Sequence, residues 1–168
     1  VQPWRKAPQL GRLVQTLNAR LFSRTWQLLA PVEVQDNSCL LVMGSEGRGE
    51  QILKTDQDNG LILADAAQTS IEACLAMAQA VNQALDRAGY PLCRGGVMAG
   101  NPQWCLRAAD WQAIFARWID GGDPEALLNA SIFFDLRAVA GTFALAGDRT
   151  LCTSAITSSA CRPLKCDW

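Results

Sequence analysis

The chain has 168 residues, 49% hydrophobic and 18% charged, with a formal net charge of −1. That composition supports one hydrophobic core and gives no electrostatic case for a duplex-binding surface, so no nucleic-acid partner is expected. Histidine is absent, which removes Ser-His-Asp and Cys-His catalysis, histidine-ligated zinc and an imidazole base.

The first predicted element is a helix over residues 9–29, where Leu10, Leu13, Val14, Leu17, Leu21 and Leu28 fall near one helical stripe between Pro8 and Pro31. Residues 38–43 (SCLLVM) form a short apolar run ending at Gly44, the pattern of a buried strand feeding a turn. A second strand is expected from about Thr55 to Ala64, with Asp56 and Asp58 at its start and Leu61, Ile62 and Leu63 following. A helix over 69–88 buries Ile71, Leu75, Ala78, Val81 and Leu85 and stops at Gly89. Residues 90–102 are rich in Gly and Pro and are read as an irregular stretch holding a third strand. Helices are predicted over 108–119, with Trp111, Ile114, Phe115 and Trp118 on one side, and over 124–140, where Pro124 follows Asp123 and Leu128, Ile132, Leu136 and Val139 hold the stripe. The tail from Thr150 has no periodicity. A chain that starts at Val1 and ends this way reads as a piece of a longer protein.

Chemistry concentrates in Gly44-Ser45-Glu46-Gly47-Arg48-Gly49-Glu50 followed by Asp56-Gln57-Asp58. A Gly-Ser turn offers backbone N–H groups and a hydroxyl to a triphosphate, and two carboxylates offer oxygens to a divalent metal. Positions 56 and 58 of a strand face the same way, about 7 Å apart at the backbone. Two carboxylates so placed repel, and a cation between them is the usual compensation.

Other readings of these residues fail at defined positions. Glu50 and Gln51 stand where a Walker loop needs Lys and Ser or Thr, and Ile52 stands where a dinucleotide fingerprint needs its last Gly. A calcium loop from Asp56 has its glycine at Gly60, one residue early, and Ala67 in place of its closing Glu. The seven cysteines, at 39, 74, 93, 105, 152, 161 and 166, show no Cys-x-x-Cys spacing. They read as reduced thiols, and the expected location is cytoplasmic. No signal peptide is visible and no apolar run approaches a membrane span, so no membrane partner is expected.

The Gly-Ser turn with Thr55-Asp56-Gln57-Asp58-Asn59 resembles the polymerase-β-like nucleotidyltransferase superfamily. More narrowly it resembles the nucleotidyltransferase family found beside CBS and cyclic-nucleotide-binding domains in bacterial signalling proteins, itself similar to the adenylyl- and uridylyltransferases that modify glutamine synthetase and the PII protein. Residues 95–104 (GGVMAGNPQW) and 125–137 (EALLNASIFFDLR) also look like this family, so the likeness covers roughly 8–147. It implies an α/β (α+β) nucleotidyltransferase core with a small mixed sheet over 1–105, the start of a helical substrate-binding domain over 106–147, and an irregular tail over 148–168.

The resemblance also implies roles. Gly44 and Ser45 would hold the triphosphate, with Arg48, Glu50 and Asn101 around the nucleotide, and Asp56 and Asp58 would bind Mg²⁺ or Mn²⁺ for transfer of a nucleoside monophosphate from NTP to a hydroxyl, on a protein in signalling. CBS or cyclic-nucleotide-binding domains would be partners in the full-length protein. The chain departs from the polymerase pattern in one respect. The stretch expected to carry a third carboxylate reads Pro91-Leu92-Cys93-Arg94-Gly95. Asp135 would then supply it, or the chain would be an inactive NTP–Mg²⁺ sensor, the alternative function.

Several residues have plainer readings. Arg48 and Glu50 also suit a local ion pair, Asp135 a cap or a pair with Arg137, and Asn101 the turn before Pro102. Trp104, Trp111 and Trp118, spaced by seven, read as core or interface packing. Cys93, with no histidine to activate it, reads as a buried inert thiol.

Overall fold

In a computed structural model, the described residues are 7–44, 47, 56–121 and 136–147. The architecture is mixed α/β: a four-stranded sheet with helices on both faces. The elements in chain order are α1 (Ala7–Leu29), α2 (Val32–Asp36), β1 (Ser38–Val42), β2 (Asn59–Leu63), α3 (Ile71–Arg87), a 3-10 turn (Pro102–Trp104), β3 (Cys105–Arg107), α4 (Ala108–Gly121), β4 (Arg137–Gly141) and α5 (Ala144–Gly147). The sheet order is β3-β2-β1-β4. β1 runs antiparallel to β2, from Ser38 opposite Leu63 to Val42 opposite Asn59, and antiparallel to β4 on its other side. β2 and β3 are parallel.

Every residue of β1 and β2 is buried, which explains the apolar run of β1 and the Leu61-Ile62-Leu63 run of β2. Alternate side chains enter two cores. Leu40, Val42, Leu61 and Leu63 meet α1 and α3, while Cys39, Leu41 and Ile62 meet α4. On the α4 side, Trp104 and Trp111 stack at 6.1 Å, Trp104 and Trp118 lie 6.3 Å apart, and Trp111 donates to the Leu61 carbonyl at 3.0 Å. The seven-residue tryptophan spacing is therefore core packing.

The helix beginning near residue 9 is present, but most of its leucine stripe faces away from the core, Leu21 excepted. Leu10, Leu13, Leu17 and Leu28 are 50–67% exposed. The buried face carries Asn18, Phe22, Trp26 and, just past the helix, Ala30, spaced by four. Two bulky aromatics one turn apart outweigh a row of leucines in apolar area, and Phe22 packs edge-on against Tyr90. α3 is set as its sequence requires: Ser70 caps its first turn by accepting from Ala73 N at 3.2 Å, and Glu72 and Arg87 suit its two ends.

Three expected elements differ. The second strand begins at Asn59, not Thr55, because β1 ends opposite it at Val42. Upstream, Gln57 bridges in parallel to Leu92 instead. That bridge is all that forms of the strand expected within 90–102. The turns from Cys93 to Asn101 break the ladder, and the real third strand follows at Cys105. The helix expected over 124–140 is, for its last residues, strand β4; residues 124–135 lie outside the described residues. Leu136 and Val139 fit a helical stripe and a strand equally well over so short a run. Gly141 closes β4 at φ +86, and a Cβ there would stand 2.1 Å from the Ser38 carbonyl oxygen, so only glycine lets the strand end this close to β1.

Candidate functional site

Strand alternation builds the site. Asp56 and Asp58 turn toward solvent, exposed and half-buried respectively, while Gln57 and Asn59 between and after them are 1% and 0% exposed. The inward pair is knitted to α3. Gln57 Nε2 donates to the carbonyls of Asn82 and Tyr90, both at 2.9 Å. Asn82 Nδ2 donates to Gln57 Oε1 at 2.8 Å and to Asn59 Oδ1 at 2.9 Å. Asn59 Oδ1 also accepts from Ala99 N at 2.8 Å, and Asn82 Oδ1 from Gly100 N at 2.8 Å. Backbone bonds add to this: Gln57 N donates to Pro91 O at 2.9 Å, Asn59 N to Val97 O at 3.1 Å and Met43 N to Asp58 O at 3.0 Å. The two carboxylates thus stand on a segment tied to β1, to α3 and to the 90–101 loop at once.

That loop brings a third donor. Oxygens of Asp56 and Asp58 and the sulfur of Cys93 all lie within 4.8 Å of one another. Donors around one Mg²⁺ stand roughly 3–4 Å apart, from metal–oxygen distances near 2.1 Å, so the cluster fits a divalent ion with small rotations. Burial raises the Asp58 carboxyl above its ordinary range; a hydrogen bond from the Cys93 thiol offsets part of this, and the Asp56 charge adds to it. Burial likewise raises Cys93, as does its bond to Asp58, while the backbone N–H groups of Val97 and Gly95 pull the other way. A half-buried carboxylate raised by its neighbours gains from a cation.

Gly44 completes the described part. Its φ of +58 turns the chain at the end of β1, and a Cβ there would stand 3.2 Å from Asp58 Oδ2. The start of the Gly-Ser turn therefore lies directly against the Asp58 carboxylate. Asn101 is placed elsewhere in the loop. Its side chain donates to Gly96 O at 2.9 Å and accepts from Gln103 N at 3.1 Å, which caps the 3-10 turn and shapes the segment carrying Cys93. Ser45, Arg48, Glu50 and Asp135 lie outside the described residues.

The sequence reading missed Gln57, Asn59, Asn82 and the position of Cys93. Cys93 is half-buried and beside Asp58, not enclosed in apolar core. Asn82 had a visible signal, a polar residue four after Ala78 on the buried stripe of α3. Among the described residues the enclosed thiols are Cys39, Cys74 and Cys105; burial raises all three, Cys39 and Cys105 to about 12. Among the described residues no helix is long and apolar enough to cross a membrane.

No curated protein and no solved structure matches the chain. A family model does: the one described as "Putative nucleotidyltransferase DUF294" matches residues 1–125, about three-quarters of the length and all of the site described above. The chain belongs to that nucleotidyltransferase-like family.

Proposed function

We propose that the protein is a metal-dependent nucleotidyltransferase domain with a polymerase-β-like core, moving a nucleoside monophosphate from NTP to a hydroxyl acceptor, a protein in signal transduction. The observation that carries this reading is the convergence of Asp56 and Asp58 beside Gly44, in a chain of this family. Asp56 and Asp58 hold Mg²⁺ or Mn²⁺. When bound there, the ion would supply charge stabilisation to the triphosphate. Gly44 leaves room for phosphate against the carboxylates. Ser45 donates its hydroxyl to a phosphate oxygen, and Arg48 pairs with phosphate as a planar fork. Glu50 and Asn101 shape the two loops that flank the nucleotide, and Asp135 is the carboxylate available for a catalytic role from the following segment. In the full-length protein, CBS or cyclic-nucleotide-binding domains would carry the signal.

A second reading, an NTP–Mg²⁺ sensor without turnover, draws support from the donor set. Among the described residues, Cys93 and not a third acid stands beside the pair. Calorimetry of each NTP with Mg²⁺, against Asp56→Asn/Asp58→Asn, tests both readings. Binding that needs the metal and the aspartates is expected. Pyrophosphate release on adding acceptor-containing lysate fractions supports transfer, and binding without release at any acceptor supports the sensor. Equal binding by the double variant overturns both.

A further inference from the structure

The sulfur of Cys93 is neither a core thiol nor a bystander to the carboxylates. The chain that carries it runs beside the Asp-x-Asp segment: Leu92 bridges to Gln57, and Gln57 N bonds to Pro91 O at 2.9 Å. Cys93 is therefore the first residue past the bridge, opposite Asp58. This neighbouring segment brings the sulfur within 4.8 Å of both carboxylates, which occupy alternate positions of one extended stretch. The loop after it then folds back on the sulfur. Gly96 N donates to the Cys93 carbonyl at 3.0 Å, which closes a tight turn, and the N–H groups of Gly95 and Val97 reach Sγ. A Cβ on Gly95 would lie 3.7 Å from Sγ, so the backbone passes the sulfur at contact distance.

We infer that Cys93 is the third protein ligand of the Asp56–Asp58 metal site, giving an O,O,S donor set that favours borderline and soft divalent ions such as Co²⁺, Zn²⁺ and Cd²⁺ over Mg²⁺. The inference rests on the metal-site part of the proposed function. On binding, the Cys93 thiol loses its proton to solvent and a sulfur–metal bond forms beside the two carboxylate–metal bonds. No electron is transferred. A thiolate adds little for Mg²⁺, which prefers oxygen, and much for metals lower in hardness. Among the described residues, Cys93 thus stands where the polymerase pattern places a carboxylate, and this change of ligand changes which metal the site prefers.

Co²⁺ titration of the reduced full chain reads this directly, because a Co–thiolate bond gives a sulfur-to-metal charge-transfer band in the near ultraviolet whether or not the protein turns over. The wild type is expected to show that band. Cys93→Ser is expected to lose it and to bind Co²⁺ and Cd²⁺ more than about tenfold more weakly, with Mg²⁺ affinity changed far less. Cys93→Asp is expected to keep metal binding without the band and to shift preference toward Mg²⁺. Co²⁺ binding that needs Asp56 and Asp58 but shows no band, with Cys93→Ser equal to wild type, overturns the inference and leaves the metal site standing. A band that survives Cys93→Ser belongs to other cysteines and also overturns it. No binding of Co²⁺, Cd²⁺ or Mg²⁺ by the wild type overturns both the inference and the metal-dependent reading beneath it.

Discussion

Gln57→Met separates the scaffold of the site from its ligands. Methionine keeps the volume and the flexible stem of glutamine but removes its amide. Lost with it are two donor bonds of 2.9 Å to the Asn82 and Tyr90 carbonyls, an acceptor bond of 2.8 Å from Asn82 and a longer one of 3.4 Å from Asn59. Gln57 is 1% exposed, so water does not replace these partners without a cavity opening. Each buried group left unpaired costs about 1–3 kcal/mol. Three strong bonds at the low end, where the carbonyls find other donors, give a loss of about 3 kcal/mol. Against a typical 5–15 kcal/mol total, and a urea slope near 2 kcal/mol/M, the unfolding midpoint falls by about 1.5 M. Metal affinity falls too, although Asp56, Asp58 and Cys93 are all retained, because the segment bearing the carboxylates loses its hold on α3. Urea unfolding with calorimetric metal binding measures both. Gln79→Ala, which removes an exposed bond to Gly100 O, is the control, expected within about 0.5 kcal/mol of wild type. A Gln57→Met loss below about 1 kcal/mol, or one equal to that control, would refute the reasoning.

Three further outcomes are expected. Asp58→Asn raises the melting temperature at neutral pH without divalent metal, because the folded state holds this carboxyl's proton more tightly than the unfolded chain. With the folded pKa above the unfolded one, wild-type stability relative to the variant declines as pH rises from the ordinary carboxylate range through the folded pKa, then levels off; divalent metal should stabilise wild type alone, and melting scans from pH 3 to 8 check the sign. Trp26→Ala destabilises by about 3–5 kcal/mol, whereas Leu13→Ala stays within about 0.5 kcal/mol, since Trp26 is 0% and Leu13 55% exposed; the reverse order in urea melts would restore the leucine stripe as the core face. Iodoacetamide at pH 8 leaves Cys39 and Cys105 unmodified in the folded protein, their thiols being enclosed and pushed to about 12, and peptide mapping that finds either labelled before unfolding would contradict their placement.

What was legible in the sequence followed from local chemistry. β1 and β2 announced themselves as apolar runs, α3 by its cap and its period, and the Asp pair by a spacing that the strand-like backbone honours. What was not legible required partners distant in sequence. β4 exists because β1 offers an open edge to a run of small and branched residues from Arg137 to Gly141, and no feature of that run alone chooses strand over helix. The core face of α1 depends on what lies opposite it, and Tyr90, 72 positions away from Asn18, binds that asparagine's side chain. Cys93 looked inert because its neighbours in sequence say nothing of Asp58, 35 residues earlier, whose position beside it is set by the bridge at Leu92 and by the hydrogen bonds of Gln57 and Asn59 to the 90–101 loop.

The motif Asp56-Gln57-Asp58-Asn59 consequently does two jobs with one alternation. Its odd positions, Gln57 and Asn59, face a dry interior that only hydrogen bonding makes tolerable. Its even positions face the loop and the solvent, where charge is useful. The charged face carries a cost as well: burial raises the Asp58 carboxyl and the Asp56 charge adds to this, while the amide network on the back of the segment holds it to α3 and the 90–101 loop. A bound cation removes the repulsion and leaves the network intact, so the site gains affinity from having been held in an unfavourable arrangement beforehand. That is why the decisive comparison is between Gln57→Met and Asp58→Asn. Both should weaken metal binding, but the first lowers the stability of the metal-free protein while the second raises it.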